Sequence, residues 1–184
     1  MSTTTHEIVT QAILLQRGRA RANDLQLRFI TSAGLVLSLY LRNGRGSVRR
    51  LAGLDNGFGI SEIRWRPQGE STGALVSIER HIPASWLGLP QAYAWYAAVV
   101  ELLAHEVRPG MLEPLLASHL MGVVGSLDGP GPADFLRILT LLGHGPDRGV
   151  TPGNMLALVR DRLGLSAPYL GLALGGSGPA LEMA

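Results

Sequence analysis

Through the first ninety positions apolar and polar residues alternate in short runs, and beyond Pro90 the apolar residues recur every three to four positions instead. The alternation is clearest in Leu25-Gln26-Leu27-Arg28-Phe29 and in Ile60-Ser61-Glu62-Ile63-Arg64-Trp65-Arg66, where the two kinds of residue mostly take opposite faces of an extended chain. Runs of this kind predict five strands, over 7–16, 25–31, 35–41, 57–66 and 74–82. Between them lie a basic turn at 17–24, a tight Ser32-Ala33-Gly34 turn, a long basic loop at 42–53 and a Pro67-Gln68-Gly69 turn. Five short strands in so few residues suit a small closed barrel of the oligonucleotide-binding (OB) kind better than an open sheet, because closure removes the edges.

After Pro90 the period is helical. Residues 92–106 place Tyr96, Val99, Val100 and Leu103 on one stripe with Glu101 and Glu106 off it, and Pro109-Gly110 ends the run. A second helix is expected over 111–127, with Leu112, Leu115, Leu116 and Leu120 apolar, closed by Asp128-Gly129-Pro130. A third spans 132–142 with Phe135, Ile138, Leu139 and Leu142 apolar and Gly143 as C-cap, and Thr151-Pro152 opens a fourth that runs to about 163. Residues 163–181 hold 19 uncharged positions, the length of a membrane span, yet Pro168, Pro179 and five glycines argue against a stable helix there. The expectation for this stretch is a helix end and a loose tail. The fold class is therefore α+β: an OB-like five-stranded barrel over 1–83, a helical domain over 84–171 and a flexible tail over 172–184. No internal repeat is visible.

Composition narrows the picture further. Of the 184 residues 46% are hydrophobic and 16% charged, which excludes a disordered chain. Cysteine is absent, which removes disulfides, a thiol nucleophile and a cysteine zinc site. Lysine is absent too, so all 16 basic side chains are arginine, a bias that codon composition explains as readily as function does. Residues 1–90 carry 11 Arg against 6 carboxylates, a net +5, whereas residues 91–184 carry 5 against 8, a net −3. A basic half suggests a polyanionic partner. The first ten residues lack a basic start followed by an apolar run, and the chain reads as cytoplasmic, with no membrane segment.

Candidate chemistry sits in the arginines. Arg42, Arg45, Arg49 and Arg50, interleaved with Gly44 and Gly46, repel one another unless an anion is present, and glycine lets a backbone approach phosphate closely. Arg64, Arg66 and Arg80 on later strands are placed to extend such a groove. Arg17, Arg19 and Arg21 form a second cluster, and for both clusters a solvated loop is the competing reading. Of the aromatic residues in the barrel half, Phe29, Tyr40, Phe58 and Trp65, most belong to a core; Tyr40 and Trp65, next to arginines, are the candidates for stacking on bases. Catalysis has no visible apparatus. There is no Gly-x-Ser-x-Gly elbow and no phosphate loop, Gly44-Arg45-Gly46 has Arg49 where a dinucleotide fingerprint needs its third glycine, and His81, His105, His119 and His144 lack paired ligand spacing.

The order of these pieces resembles the RecO family of bacterial recombinational repair proteins. Thr10-Gln11-Ala12-Ile13-Leu14-Leu15 with Asn23-Asp24-Leu25 is similar to that family's first strand, turn and second strand, and Phe29-Ile30-Thr31-Ser32-Ala33-Gly34-Leu35-Val36 to its next turn. Arg45-Gly46-Ser47-Val48-Arg49-Arg50-Leu51-Ala52-Gly53 stands where the family has a glycine-rich basic loop. Ala94-Trp95-Tyr96-Ala97-Ala98-Val99-Val100-Glu101-Leu102-Leu103 is similar to its first helix after the barrel. Phe135-Leu136-Arg137-Ile138-Leu139-Thr140-Leu141-Leu142-Gly143-His144 is similar to a later helix end, and the resemblance covers roughly 8–146 and part of 155–171. Many members carry a four-cysteine zinc module after that helix; here Gly145 to Gly153 is a short connector without cysteine, and no Lys-Ser-Arg-like end follows Leu163.

The resemblance implies a non-enzymatic DNA repair and recombination accessory protein. Such a protein binds single-stranded DNA, anneals complementary strands and, with RecR, helps RecA replace the single-stranded-DNA-binding protein, whose acidic C-terminal tail it captures. It implies no cofactor here, because the zinc ligands are missing. The competing expectation is a protein-interaction module in which Leu112, Leu116 and Leu120 dock a partner and the barrel is only structural. The purified protein is predicted to carry no stoichiometric zinc after dialysis, which elemental analysis checks; one equivalent of metal would overturn the reading of 145–153 as a deleted module.

Overall fold

The computed structural model describes residues 6–21, 23–43, 58–144, 152–164 and 167–175. Its strands are β1 (Ile8–Arg21), β2 (Asp24–Thr31), β3 (Val36–Leu41), β4 (Gly59–Pro67) and β5 (Thr72–Pro83). They close a barrel in the order β1-β2-β3-β5-β4, with β4 hydrogen-bonded back to β1. Every pairing is antiparallel except the short β3–β5 contact, which is parallel. The expected OB-like barrel is present. Alternation sorts the two faces: Leu25, Leu27, Phe29, Leu37, Leu39 and Trp65 fill the interior, while Ile13, Leu15, Ile30 and Val36 point outward into a second core shared with the helices.

β1 departs from expectation. It does not give way to a basic turn after Gln16 but continues to Arg21, pairing with β2 through Arg17↔Leu27, Arg19↔Leu25 and Arg21↔Asp24. Two register shifts make this possible, one between Leu14 and Gln16 and one between Arg19 and Arg21. Each inserts an extra residue that bends the strand and tightens its twist, so a polar segment stays in the ladder where a straight strand would have left it.

Each described helix begins on a proline, whose fixed φ suits the first helical turn and whose missing N–H costs nothing there. They are α1 (Pro90–Glu106), α2 (Pro114–Gly125), α3 (Pro132–Leu141), α4 (Pro152–Leu163) and α5 (Pro168–Ala173). α2 starts three residues later than the periodicity suggests, because the preceding backbone is spent on the barrel. Gly110 N–H donates to Val36 O, Val36 N–H to Met111 O and Glu113 N–H to Gly34 O, at 2.9 to 3.0 Å. Gly34 has a φ of +91°, and a Cβ there would lie 2.5 Å from Pro114 N, so this junction demands glycine twice over.

The stretch expected to be a helix end and a loose tail contains α5, which spans the boundary expected at 171 and packs on α1 with Leu170 and Ala173 buried. Glu101 on α1 receives the Ala167 backbone N–H, and Gln91 donates to Ala173 O, so both ends of the short helix are tied down. Tertiary burial has overridden weak local propensity here. The remainder of the expected tail, 176–184, lies outside the described residues.

The core around α1 unites both halves of the chain. Trp86 is fully buried in a single 3-10 turn (Ser85–Gly88), donates its Nε1–H to Val123 O at 3.2 Å, and packs on Tyr96 with ring centroids 5.0 Å apart. Phe135 of α3 faces Trp95 at 5.8 Å and is 1% exposed. Phe135→Ala is expected to cost about 3 to 5 kcal/mol, read from chemical denaturation at unchanged m-value.

At one end of the barrel Ser61 Oγ and His81 Nδ1 lie 2.9 Å apart, His81 Nε2 is buried without a partner among the described residues, and burial holds the imidazole below its ordinary range. The neutral form is thus favoured by folding. Its stabilisation is complete above the unfolded-state pKa of about 6.5 and is lost as pH falls through the lower folded-state value. The thermal midpoint should therefore drop between pH 7.5 and 5, and His81→Gln should flatten that part of the profile.

Candidate functional site

The register of β1, β2 and β3 brings one cluster of arginines to a common end of the barrel. Leu25 pairs with Leu41, so Arg42 follows directly on the end of β3, level with the start of β2. Asn43 N–H donates to Asp24 Oδ1 at 3.0 Å, and Asp24 is paired with Arg21. Arg42 and Arg17 are exposed; for Arg19 and Arg21 the backbone position is described and the side chain is not. Arg45, Arg49 and Arg50 lie outside the described residues, in the segment that follows Asn43.

The arginines of β4 sit elsewhere. Arg64 Nε donates to Glu79 Oε1 at 2.9 Å and Arg66 Nη2 to Glu7 Oε1 at 2.8 Å, with Glu7 also 3.8 Å from Arg64. Arg80 stands across the β4–β5 ladder from Glu62. The Ser77 hydroxyl, and after it Arg64, hold the Glu79 carboxyl below the usual carboxylate range against the opposing effect of burial. β5 separates this face from β3, so the structure gathers Arg64 and Arg66 around carboxylates and does not join them to Arg42.

Beside the arginine end, the outward face of β1, β2 and β3 forms a polar groove of about 250 Å³ lined by Gln16, Gly18, Gln26, Arg28 and Ser38. The bulge at Leu15 sets this lining: it restarts the alternation so that Gln16 and Gly18 come into register with Arg28 and Gln26. Gln26 Nε2 donates to Ser38 Oγ at 2.9 Å, and Gly18 contributes open space where a side chain would stand. Arg28 Nη1 donates to Ala104 O at 2.8 Å and Val107 O at 3.0 Å, satisfying carbonyls that the end of α1 leaves without helical partners. Tyr40, directly across from Gln26, is 43% exposed.

The two stacking candidates separate cleanly. Trp65 is 4% exposed inside the barrel, and Tyr40 alone of the pair faces out. Phe29 is interior, and Phe58 packs edge-on against Tyr93 and Tyr96. Gln16, Gln26, Arg28 and Ser38 were not singled out by sequence. The signal was there in β3, where Ser38 interrupts an otherwise apolar strand.

Elsewhere the structure offers less chemistry. A shallow cavity of about 380 Å³ lies between α2 and α3, with His119 Nε2 3.4 Å from Asp134 Oδ1. Asp134 already accepts the Gly131 N–H at the start of α3, and Ser118, next to His119 on one helix, does not face it. Glu106 joins His105 and His144 at 2.8 Å each; burial raises its carboxyl, but the hydrogen bonds from His144 and then His105 outweigh that and leave it below the usual range. Among the described residues no three His, Asp or Glu side chains are arranged to hold a metal, and no helix is long and apolar enough to cross a membrane. Leu116 and Leu120, expected on a docking face, are core residues 1% and 0% exposed, because the buried stripe of α2 runs through them; Leu112 and Leu115 are the exposed leucines there.

The fold and its outer face define an OB-like barrel with a polar groove at a basic end, backed by a helical bundle. Comparison with known family models and with curated proteins finds no match to this chain.

Proposed function

We propose that the protein is a non-catalytic, RecO-like accessory factor of DNA repair and recombination that holds single-stranded DNA across the outer face of β1, β2 and β3. The observation that carries the reading is the solvent-exposed Tyr40 beside a polar groove at the arginine-rich end of that face. In barrels of this topology the β2–β3 face and the flanking β1–β2 and β4–β5 loops receive oligonucleotides. An aromatic platform gives sequence-tolerant stacking, and guanidinium groups neutralise the backbone. Two strands neutralised in this way can anneal. By its resemblance, the protein acts with RecR to help RecA displace the single-stranded-DNA-binding protein, whose acidic tail it engages. The interaction-module reading is favoured by one observation, the 64% and 70% exposure of Leu112 and Leu115, and salt separates the two: steeply salt-dependent DNA binding supports the first reading and its absence the second.

With roughly four to six phosphates neutralised, log affinity against log salt should fall with a slope of about −3 to −4 for a single strand. Changing Arg45, Arg49 and Arg50 together to Ala is expected to weaken all sequences alike and flatten the slope by roughly two units. Tyr40→Ala should cost about 1 to 3 kcal/mol of binding with the slope unchanged. Changing Arg137, Arg160 and Arg162 should matter much less. Fluorescence titration of labelled oligonucleotides at several salt concentrations checks all four, and an unaffected loop mutant would hand the lead to the interaction module.

A further inference from the structure

Arg28 is a half-buried cation that has no carboxylate partner among the described residues. Its hydrogen-bond acceptors are the neutral carbonyls of Ala104 and Val107, and both are taken by a single nitrogen, Nη1. Among the described residues Nε and Nη2 have no protein acceptor, although the side chain lines the groove. The β4 arginines differ, since Arg64 and Arg66 each have a carboxylate within 2.9 Å. A guanidinium fixed at one nitrogen presents its other edge, Nε with Nη2, as a planar fork that matches two oxygens of a phosphate. Across the groove Gly18 leaves room for a backbone to come close, and Tyr40 lies two pairs further along the β2–β3 ladder, about 7 Å along the strands.

We propose that Arg28 is the phosphate fork of the groove, and that a phosphodiester of single-stranded nucleic acid bound there also firms the last turn of α1. This rests on the reading of the groove as a nucleic-acid site and adds the contact and its consequence. The anion needs the guanidinium in one orientation, and that orientation is the one in which Nη1 caps Ala104 O and Val107 O. Ligand and helix end therefore select the same rotamer. Val107 N–H, bonded to Leu103 O, and Glu106, bonded to His144 at the end of α3, lie in the turn so fixed. Occupancy of the groove is in this way felt where α1 meets α3.

The test uses the full chain, an oligodeoxythymidine probe, and hydrogen exchange of residues 100–108 with and without it. Arg28→Gln keeps a donor for the carbonyls but removes the charged fork. It is expected to weaken the probe roughly tenfold or more, lower the salt slope by about 0.7, and abolish the slowing of exchange that the probe causes in the wild type. Gly18→Val, which fills the groove from a position whose nearest atom is 3.8 Å away, should have the same effect on the probe with the free protein's melting unchanged, and it decides the matter if the Arg28 variant fails to fold. Wild-type affinity in both variants, or probe-induced protection of 100–108 that persists in them, overturns the proposal while leaving nucleic-acid binding intact. A melting temperature lowered in Arg28→Gln with unchanged affinity also overturns it, since that is the behaviour of a helix cap alone. A wild-type protein that binds no probe removes the groove reading and this proposal together.

Discussion

β1 has to pair with β4 along its first half and with β2 along most of its length, and a straight strand cannot follow both neighbours around so small a circumference. The extra residue at Leu15 bends it. Ile8 to Ile13 lie against β4, Ala12 to Arg21 against β2, and the overlap at Ala12 and Ile13 is where the barrel wall turns. The same residue changes what the strand presents on either side of the bend. Ile13 and Leu15 point into the helical core, and then Gln16 and Gly18 line open groove. One inserted residue thus closes the barrel, docks the helices and ends their cover.

The helices shelter only part of the outer wall. Ile13, Leu15, Ile30 and Val36 are buried beneath them, and the backbone from Gly110 to Glu113 is hydrogen-bonded along Gly34 and Val36. Next to this apolar seam stand Gln26, Ser38 and Tyr40, on the same face of the same strands but beyond the helix end. Arg28 marks the boundary, with its guanidinium turned to the last carbonyls of α1. A shorter or apolar residue there would leave those carbonyls facing the sheet without a donor, which is costly for groups shielded from water.

What the sequence revealed and what it hid divide along physical lines. Period two in β2 and β4, and the prolines that open α3 and α4, depend on residues close in the chain and were legible. The bulge at Leu15 was not, because an inserted residue in an apolar run leaves Thr10 to Leu15 looking like any other strand. Without it the alternate arginines 17, 19 and 21 look like one row. The second shift, between Arg19 and Arg21, instead sets the first two opposite Leu27 and Leu25 and the last opposite Asp24. α5 was hidden for a different reason: glycine and proline weaken its local preference, and contacts with Gln91 and Glu101, far away in sequence, hold it. Of the site, Arg42 and Tyr40 could be named from the chain, whereas Arg28 and the rest of the groove lining come together through register across three strands.

Net charge concealed the more useful distinction, which is between cations already answered by the protein and those that are not. Arg64 and Arg66 reach Glu7 and Glu79 at the barrel surface, where such pairs add little stability but do quench the local field. Around β1, β2 and β3 the balance is different. Asp24 is the lone carboxylate among the described residues of these strands, and it is hydrogen-bonded to Asn43, while Arg28 lies on the outward face and Arg42 follows the end of β3. Field lines from these groups add over a face that also carries the groove and the exposed aromatic ring. The proposed anion would meet the Arg28 guanidinium held in place on that face, whereas at β4 it would have to displace carboxylates first. On the proposed reading of this face as a nucleic-acid site, the side that receives the polyanion is the one the helices leave uncovered.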